Sequence, residues 1–416
     1  VLRQAGPFDY DDKYIRWRPQ DLPIVPIEWK LLVTDSSRQQ FETVKELIGK
    51  ADIIVNAGDP DREGQLLVDE VLYFVGNTKP VQRILLNALD EKSVKSALGD
   101  LRDNQDFHNL YQSALARARA DWLIGMNLSR AYTLSERYKG NKVTLPIGRV
   151  KTPTLALVVR RERELADFKP VDYFTVKILY THENGTFWAT WQPKDEQKGL
   201  DPDGRLINKG IAESLVQQLA SSPDGVVKSV TKSKKKDLQR LPLSLSSLQV
   251  LAGKAYSYDP QTVLDTAQKL YEKKLTTYPR SDCEYLPPNQ YGDRMAILSN
   301  LAQSGDEKLS QWAQNADRNI KSRAWNEKKI TAHHAIIPTT VACNVNSLTQ
   351  AERNIYFLIS QAYIAQFYGE HVYEQTRIVA GQCEEEFVAN GRVVIEEGWK
   401  SLYKRQKSKI NADGDE

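Results

Sequence analysis

The stretch Ala51–Gly76, "ADIIVNAGDPDREGQLLVDEVLYFVG", decides how the first part of this chain is read. Asp52 to Ala57 reads as a short buried strand. From Gly64 onward Leu66, Leu67, Val71, Leu72 and Val75 recur at helical spacing. Strand, tight turn and helix make half of a βαβ unit, so an α/β domain with a parallel sheet is expected. The turn "GDPDREG" carries Asp59, Asp61 and Glu63 at the C-terminal end of the strand, where open α/β sheets bind ligands. In extended backbone their spacing puts all three side chains on one face. If the helix has already begun, Asp59 and Glu63 still share a face. Three carboxylates this close repel one another, and a bound Mg²⁺ relieves that repulsion. A plainer alternative makes Asp59 the N-cap and Pro60 the first helical residue, with acids favoured in the first turn. It gives less reason for two further acids and none for the glycines Gly58 and Gly64.

Composition sets the outer bounds. The chain has 416 residues, 41% hydrophobic and 27% charged, enough for two to four globular domains. No apolar run approaches the roughly 20 residues that span a bilayer, and "VLRQAGPFDYDDKY" lacks a signal-peptide pattern. Cys283, Cys343 and Cys383 are widely spaced, which favours a reducing compartment and argues against structural zinc. The net charge of +3 is too small to diagnose a nucleic-acid binder. One run from Lys228, "KSVTKSKKKDLQR", is strongly basic; it reads as a solvated linker or as a phosphate-contacting segment.

Further along, Leu110 to Tyr138 reads as one long helix. On a helical wheel Arg119, Trp122, Arg130 and Arg137 fall within about 80°. Such a stripe suits single-stranded DNA, guanidinium groups meeting phosphates and a ring stacking on a base. It equally suits a charged face paired with Asp121 and Glu136. The following "LPIGRVKTP" sets Gly148, Arg149, Val150 and Lys151 in a phosphate-loop pattern that is weak alone. From Asp172 the period changes to two. "DYFTVKILYTHENGTFWATWQP" reads as a hairpin with Asn184–Gly185 in its turn, and a similar pattern near the end places strands around Asn390–Gly391. Between them lies a helical insert in which Asp259 and Pro260 start a helix of a helix-turn-helix-like pair. In "TTYPRSD" Tyr278 falls where a strand runs into a loop. Tyr-Pro is also an ordinary extended dipeptide. His333 and His334, in "AHHAIIPT", have no partners at zinc-ligand spacing.

Taken together, "AGDPDREGQLLVDEVL", "ALARARADWLIGMNLSRAYT", "IGRVKTPTLALVVRRE", "LPLSLSSLQ", "TTYPRSD" and "AHHAIIPT" resemble the type IA DNA topoisomerases, most closely the bacterial topoisomerase III branch. The motifs occur in the family's order and cover nearly the whole chain. The resemblance implies a multidomain α/β and α+β architecture closed into a toroid. It comprises a partial Toprim domain (1–108), a helical DNA-binding base (109–168) and a β-rich arch in two parts (169–238 and 367–405). That arch is interrupted by the helical domain bearing the tyrosine (239–366), and a tail (406–416) follows. It implies an Mg²⁺ site at Asp59, Asp61 and Glu63. It makes Tyr278 the nucleophile, with Arg280 and His333 beside it. Arg119, Trp122, Arg130, Arg137, Gly148, Arg149, Val150, Lys151 and Arg280 would contact DNA. The implied activity is ATP-independent cleavage of one strand through a 5′-phosphotyrosine, strand passage and rejoining. Its substrate would be single-stranded or negatively supercoiled DNA, handled by a cytoplasmic monomer. No GxxxxGK[ST] loop is present, in keeping with that chemistry.

The match departs from the family at three places. The Toprim strand bearing a catalytic Glu and a following Lys is not found. The segment that completes the base of the ring is also missing, and Lys151 stands where Gln is usual. These departures lead us to expect a fragment or truncated relative that binds single strands and cleaves poorly. Two rivals predict other outcomes. A Toprim nuclease would cut with no covalent adduct, and a single-strand-binding module would bind in a salt-sensitive way without cutting.

Overall fold

The computed structural model describes residues 1–89, 91–194, 196–222, 224–330 and 333–404; the expected tail lies outside them. The chain forms two compact units. Unit 1 is Val1–Asp167, Ser244–Glu284 and Glu327–Val341; unit 2 is Phe168–Leu243, Tyr285–Asn326 and Ala342–Glu416. The expected helical insert is therefore divided between them.

In unit 1, β1 (Leu2–Gln4) pairs antiparallel with β2 (Leu31–Val33). Then follow α1 (Arg38–Lys50), β3 (Ile54–Asn56), α2 (Arg62–Phe74), β4 (Val81–Arg83), α3 (Glu91–Leu98) and β5 (Arg102–Asp103). The sheet order is β3-β4-β5. β3 and β4 are parallel, as a βαβ unit requires, and β5 is antiparallel to β4. On α2, Leu66, Val71 and Leu72 are buried but Leu67 is exposed, so the apolar stripe is narrower than the sequence implies. The long α4 (His108–Tyr138) and α5 (Lys151–Ala166) follow. After unit 2 takes over the chain and returns it, unit 1 adds α7 (Leu245–Tyr256) and α8 (Pro260–Glu272). The expected helix start forms: Asp259 accepts the N–H groups of Gln261 and Thr262, and Pro260 opens α8. Leu248, Ala252, Val263, Ala267 and Leu270 close the α7–α8 core with no exposure. Burying each leucine contributes about 1.5–3 kcal/mol.

Unit 2 contains β6 (Lys177–His182), β7 (Gly185–Gln192), α6 (Lys209–Ser221) and β8 (Val226–Asp237). It continues with α9 (Arg294–Ala302), α10 (Glu307–Asn315), α11 (Gln350–Ile364), β9 (His371–Gln382) and β10 (Glu385–Glu396). The five strands make one antiparallel sheet in the order β6-β7-β10-β9-β8. α6 packs Ala212, Leu215 and Leu219 against Trp191, Phe387 and Ala389.

Three local expectations change. The first hairpin forms, with the turn one residue earlier: His182 pairs with Gly185 around Glu183 and Asn184. The second turns at Cys383–Glu384, both at positive φ, and Asn390–Gly391 lies inside β10 opposite Arg377 and Thr376. The reason is packing. A turn at Asn390 would cut β10 beside Phe387, which is completely buried and sits opposite Trp191. The basic run from Lys228 is no linker; most of it is β8, hydrogen-bonded along β9.

Candidate active site

β3 ends at Asn56 and the chain turns through Gly58–Asp61 into α2. Asn56 Oδ1 accepts the Gly58 N–H at 3.0 Å. Asp61, not Asp59, is the N-cap: its Oδ1 accepts the Gly64 N–H at 2.7 Å. The cap falls two residues later than expected because the turn folds back on itself, the Asp61 N–H donating to the Asp59 carbonyl at 2.7 Å. This also explains both glycines. A Cβ on Gly64 would collide with the Asp59 backbone, and one on Gly58 would lie 2.6 Å from the Gly64 carbonyl.

Beneath the turn sits Arg83, a residue the sequence reading missed. It is 1% exposed. Its guanidinium donates to the carbonyls of Asn56 (3.1 Å), Gly58 (2.8 Å) and Ile84 (2.9 Å), and to that of Asp59 (2.7 Å). The cation thus clamps the main chain of the turn and leaves the carboxylates of Asp59 and Asp61 unbonded to it. Burial lowers its pKa, against Asp69, Asp61 and Asp59, which raise it. Asn56, Gln65, Asp69 and Asn104 form a polar network alongside, with Gln65 Nε2 donating at 2.8 Å to both Asp69 and Asn104.

Tyr278 comes to this turn from far along the chain. Its hydroxyl donates to Asp61 Oδ2 at 3.2 Å across 217 sequence positions. Its N–H donates to the Asn87 carbonyl at 2.9 Å. The preceding Thr277 is pinned to the segment after His334: its N–H donates to Ile337 O at 3.0 Å and its hydroxyl to Ala335 O at 3.2 Å. The phenol is buried, edge-on to Tyr271 at 5.6 Å and tilted against His333 at 5.1 Å. Burial pushes its pKa far up; Asp61 and Asp59 push it further, and Arg280 pulls it down. Burial likewise pushes Tyr271 up to about 12, helped by Asp59. His333 is held below its ordinary range by burial, opposed by Asp61, Asp282 and Asp59, so its imidazole is neutral. Arg280 is exposed.

The triad does not converge. Glu63 is turned to Arg117 Nη1 at 2.5 Å and Arg62 Nε at 3.0 Å. Among the described residues no group of three or more His, Cys, Asp and Glu side chains is placed to hold a metal ion. Asp59 and Asp61 remain. Both bear on the Tyr278 phenol, their oxygens are hard donors, and one or two carboxylates are the usual protein share of an Mg²⁺ site. The residues fit the ion as a pair rather than as a triad.

The arginine and tryptophan stripe of α4 forms, but part of it is covered. Trp122 is 8% exposed, donates its indole N–H to Ala5 O at 2.9 Å, and lies edge-on to Tyr10 and Trp29. A ring held this way is packed as core and presents no face for a base. Arg130 is also buried, bonded to Tyr14 O at 2.9 Å. It shares the Trp17 ring with the exposed Arg137, at 5.1 and 5.7 Å, and Arg119 lies over Trp29 at 5.2 Å. Trp17 and Trp29 had no periodic signal to single them out. In the loop after α4, Arg149 pairs with Asp121 at 2.6 Å and Gly148 donates to Thr152 Oγ1 at 3.1 Å. Val150 and Lys151 are exposed at the start of α5. Among the described residues, and apart from its chain neighbours, the nearest atom to a Cβ built on Gly148 is Lys151 Cβ at 3.8 Å, so packing there leaves room for a side chain.

The fold is that of a type IA topoisomerase. It matches full-length topoisomerase I from Thermotoga maritima with a TM-score of 0.66, over 91% of this chain and 60% of that one, at 23% identity. The chain belongs to the DNA topoisomerase family, whose sequence profile matches residues 105–414. Among its curated relatives, DNA topoisomerase 3 of Vibrio cholerae is 42% identical over 98% of this chain. The enzyme of the same name from Salmonella typhimurium is 41% identical over 100%. The chain spans 64% of the length of each of these two relatives. Among the described residues no helix is long and apolar enough to cross a membrane.

Proposed function

We propose that unit 1 carries the strand-cleaving and rejoining chemistry of a type IA topoisomerase, acting on single-stranded or negatively supercoiled DNA in the cytoplasm. The observation that carries this reading is the contact between the Tyr278 hydroxyl and Asp61 Oδ2 at 3.2 Å. Tyr278 Oη attacks a backbone phosphorus and gives its proton to Asp61. The new bond is O–P to the 5′ side, the P–O3′ bond breaks, and the departing 3′ oxygen takes a proton. Rejoining is the same step reversed. One phosphoester replaces another, so no ATP is consumed. Arg280 offsets charge on the phenolate and on the phosphoryl oxygens. His333, neutral and against the phenol ring, is positioned to bond a phosphoryl oxygen or pass on a proton. Asp59 and Asp61 would hold Mg²⁺, whose charge would offset the negative potential that, together with burial, keeps the phenol protonated. The exposed Arg137, Val150 and Lys151, with Gly148 and Arg149, would meet the strand's backbone. The inward-facing Trp122 and Arg130 would act by supporting that surface.

The test is covalent trapping. Wild-type chain is incubated with labelled single-stranded DNA and Mg²⁺, then denatured. The expected result is a protein–DNA adduct that requires Mg²⁺ and is absent in Tyr278→Phe. Cutting without an adduct would support a Toprim nuclease instead. Binding with neither would support a non-catalytic module.

A further inference from the structure

The chemistry above leaves one charged surface unused. In unit 2, β10 runs beside β7 only at Glu386–Val388, while its pairing with β9 continues to Glu396 and β9 keeps β8 beside it to Asp237. Directly opposed residues in a sheet share a face. The register therefore sets Thr231, Arg377 and Asn390 in one row, and Arg392 across from Gln375 in the next. Lys235 follows across from Tyr373 in a third. Arg377, Arg392 and Lys235 are all exposed. The Arg392 guanidinium lies over the Tyr373 ring at 3.4 Å, which holds it down on the sheet. Asp237 is the acid of β8 on this face, and it is already paired with Lys400 as well as Arg392. The opposite face differs. There Lys232 and Lys236 pair with Glu374 and Glu370, so its lysines are largely neutralised.

We propose that the Lys235–Arg377–Arg392 face binds the phosphodiester backbone of a nucleic acid strand. Rows on one face repeat every two residues, about 6.8 Å, a step comparable with the separation of neighbouring phosphates along a strand. Thr231 and Asn390 flank Arg377 in its row and add neutral donors beside it, and contacts to phosphate fix position without carrying sequence information. This inference rests on the reading that the chain acts on DNA. It adds a binding surface in unit 2 to the chemistry proposed for unit 1.

The experiment follows binding of fluorescein-labelled oligothymidine, and of a duplex of the same length, by anisotropy across a potassium chloride series. Replacing Lys235, Arg377 and Arg392 together by Gln should lower the salt slope by about 2 for the single strand, three contacts at roughly 0.7 each. A comparable or larger fall with the duplex names the duplex as the ligand form. Replacing Lys232, Lys234 and Lys236 by Gln removes the same formal charge from the other face and should move the slope much less. Arg377→Lys with Arg392→Lys should restore it, which separates lost charge from lost folding. Equal losses from both faces, or no loss from the first set with either DNA, would overturn the proposal. Adduct trapping keeps the two readings apart. Tyr278→Phe should lose the adduct yet keep the wild-type slope. If wild type forms no adduct while the variant with Gln at Lys235, Arg377 and Arg392 still loses slope, the catalytic reading falls and this one stands.

Discussion

Arg83 and Lys234 carry the same formal charge under different physical rules. Arg83 is sealed beneath the acidic turn, where four carbonyls and nearby carboxylates replace water. Lys234 stands in the open on β8. Around Arg83 burial and charge act together: burial drives Tyr278 up and His333 down, while Asp61 and Asp59 push both upward. On β8 a charge is screened by solvent, and its contribution is small and roughly additive. Substitutions near the turn should therefore have large, coupled effects. Those on the β8–β10 sheet should be small ones that accumulate.

The largest expected effect is at Asp61. Asp61→Asn keeps an oxygen to cap α2 but removes the charge and the proton acceptor for Tyr278. On the proposed mechanism, single-turnover adduct formation should fall by about 10²–10⁴-fold. The lost charge also lowers the phenol's pKa, so part of the rate should return at alkaline pH. A variant that cleaves normally at neutral pH would assign the proton to another acceptor.

Next comes acid stability, set by His334. It is buried, with Nδ1 at 2.8 Å from its neighbour's carbonyl, so that nitrogen donates; burial holds its pKa down to about 4. Unfolding returns it to an ordinary value near 6.5. Between those values the unfolded chain binds the proton and the folded chain does not. Stability is full above about pH 6.5 and is lost as pH falls toward 4, by on the order of 3 kcal/mol. His333 shifts in the same direction, so His334→Asn, which keeps the Nδ1 donor, should flatten only part of that slope in urea titrations. An unchanged pH profile would place the acid sensitivity elsewhere.

Legibility in the sequence follows the same divide. The strand–turn–helix around Asp59 was readable because its determinants are consecutive: an apolar run, a glycine at each end of the turn, and helical spacing after it. Arg83 was not, because every group it bonds to in the turn is more than twenty residues away and an arginine closing a short strand looks like a surface residue. The one available signal was its place at the end of a short, half-buried parallel strand. Trp122 was correctly set on the same helix face as the arginines. That Tyr10 and Trp29 would cover it depends on a loop with no periodicity. In unit 2 the turn at Cys383–Glu384 carries no glycine, so the more familiar Asn390–Gly391 pair drew the hairpin to the wrong place.

The smallest effect sharpens the comparison most. Lys232 and Glu374 are paired at 3.4 Å on the face of the sheet opposite Arg377, with side chains 63% and 38% exposed. Such a pair contributes between about 0.2 and 1 kcal/mol, and less at high salt. Glu374→Gln should change stability by under about 0.5 kcal/mol while adding one net positive charge to the sheet. If DNA binding depended only on the sheet's total charge, affinity and salt slope should both rise. If it depends on cations ordered on one face, this addition behind them should leave the slope unchanged. Side-by-side anisotropy titrations of wild type and Glu374→Gln decide between the two. A slope rising by a full contact would show that charge on β8 acts as a diffuse field, and the row-by-row reading of the Lys235 face would fail with it.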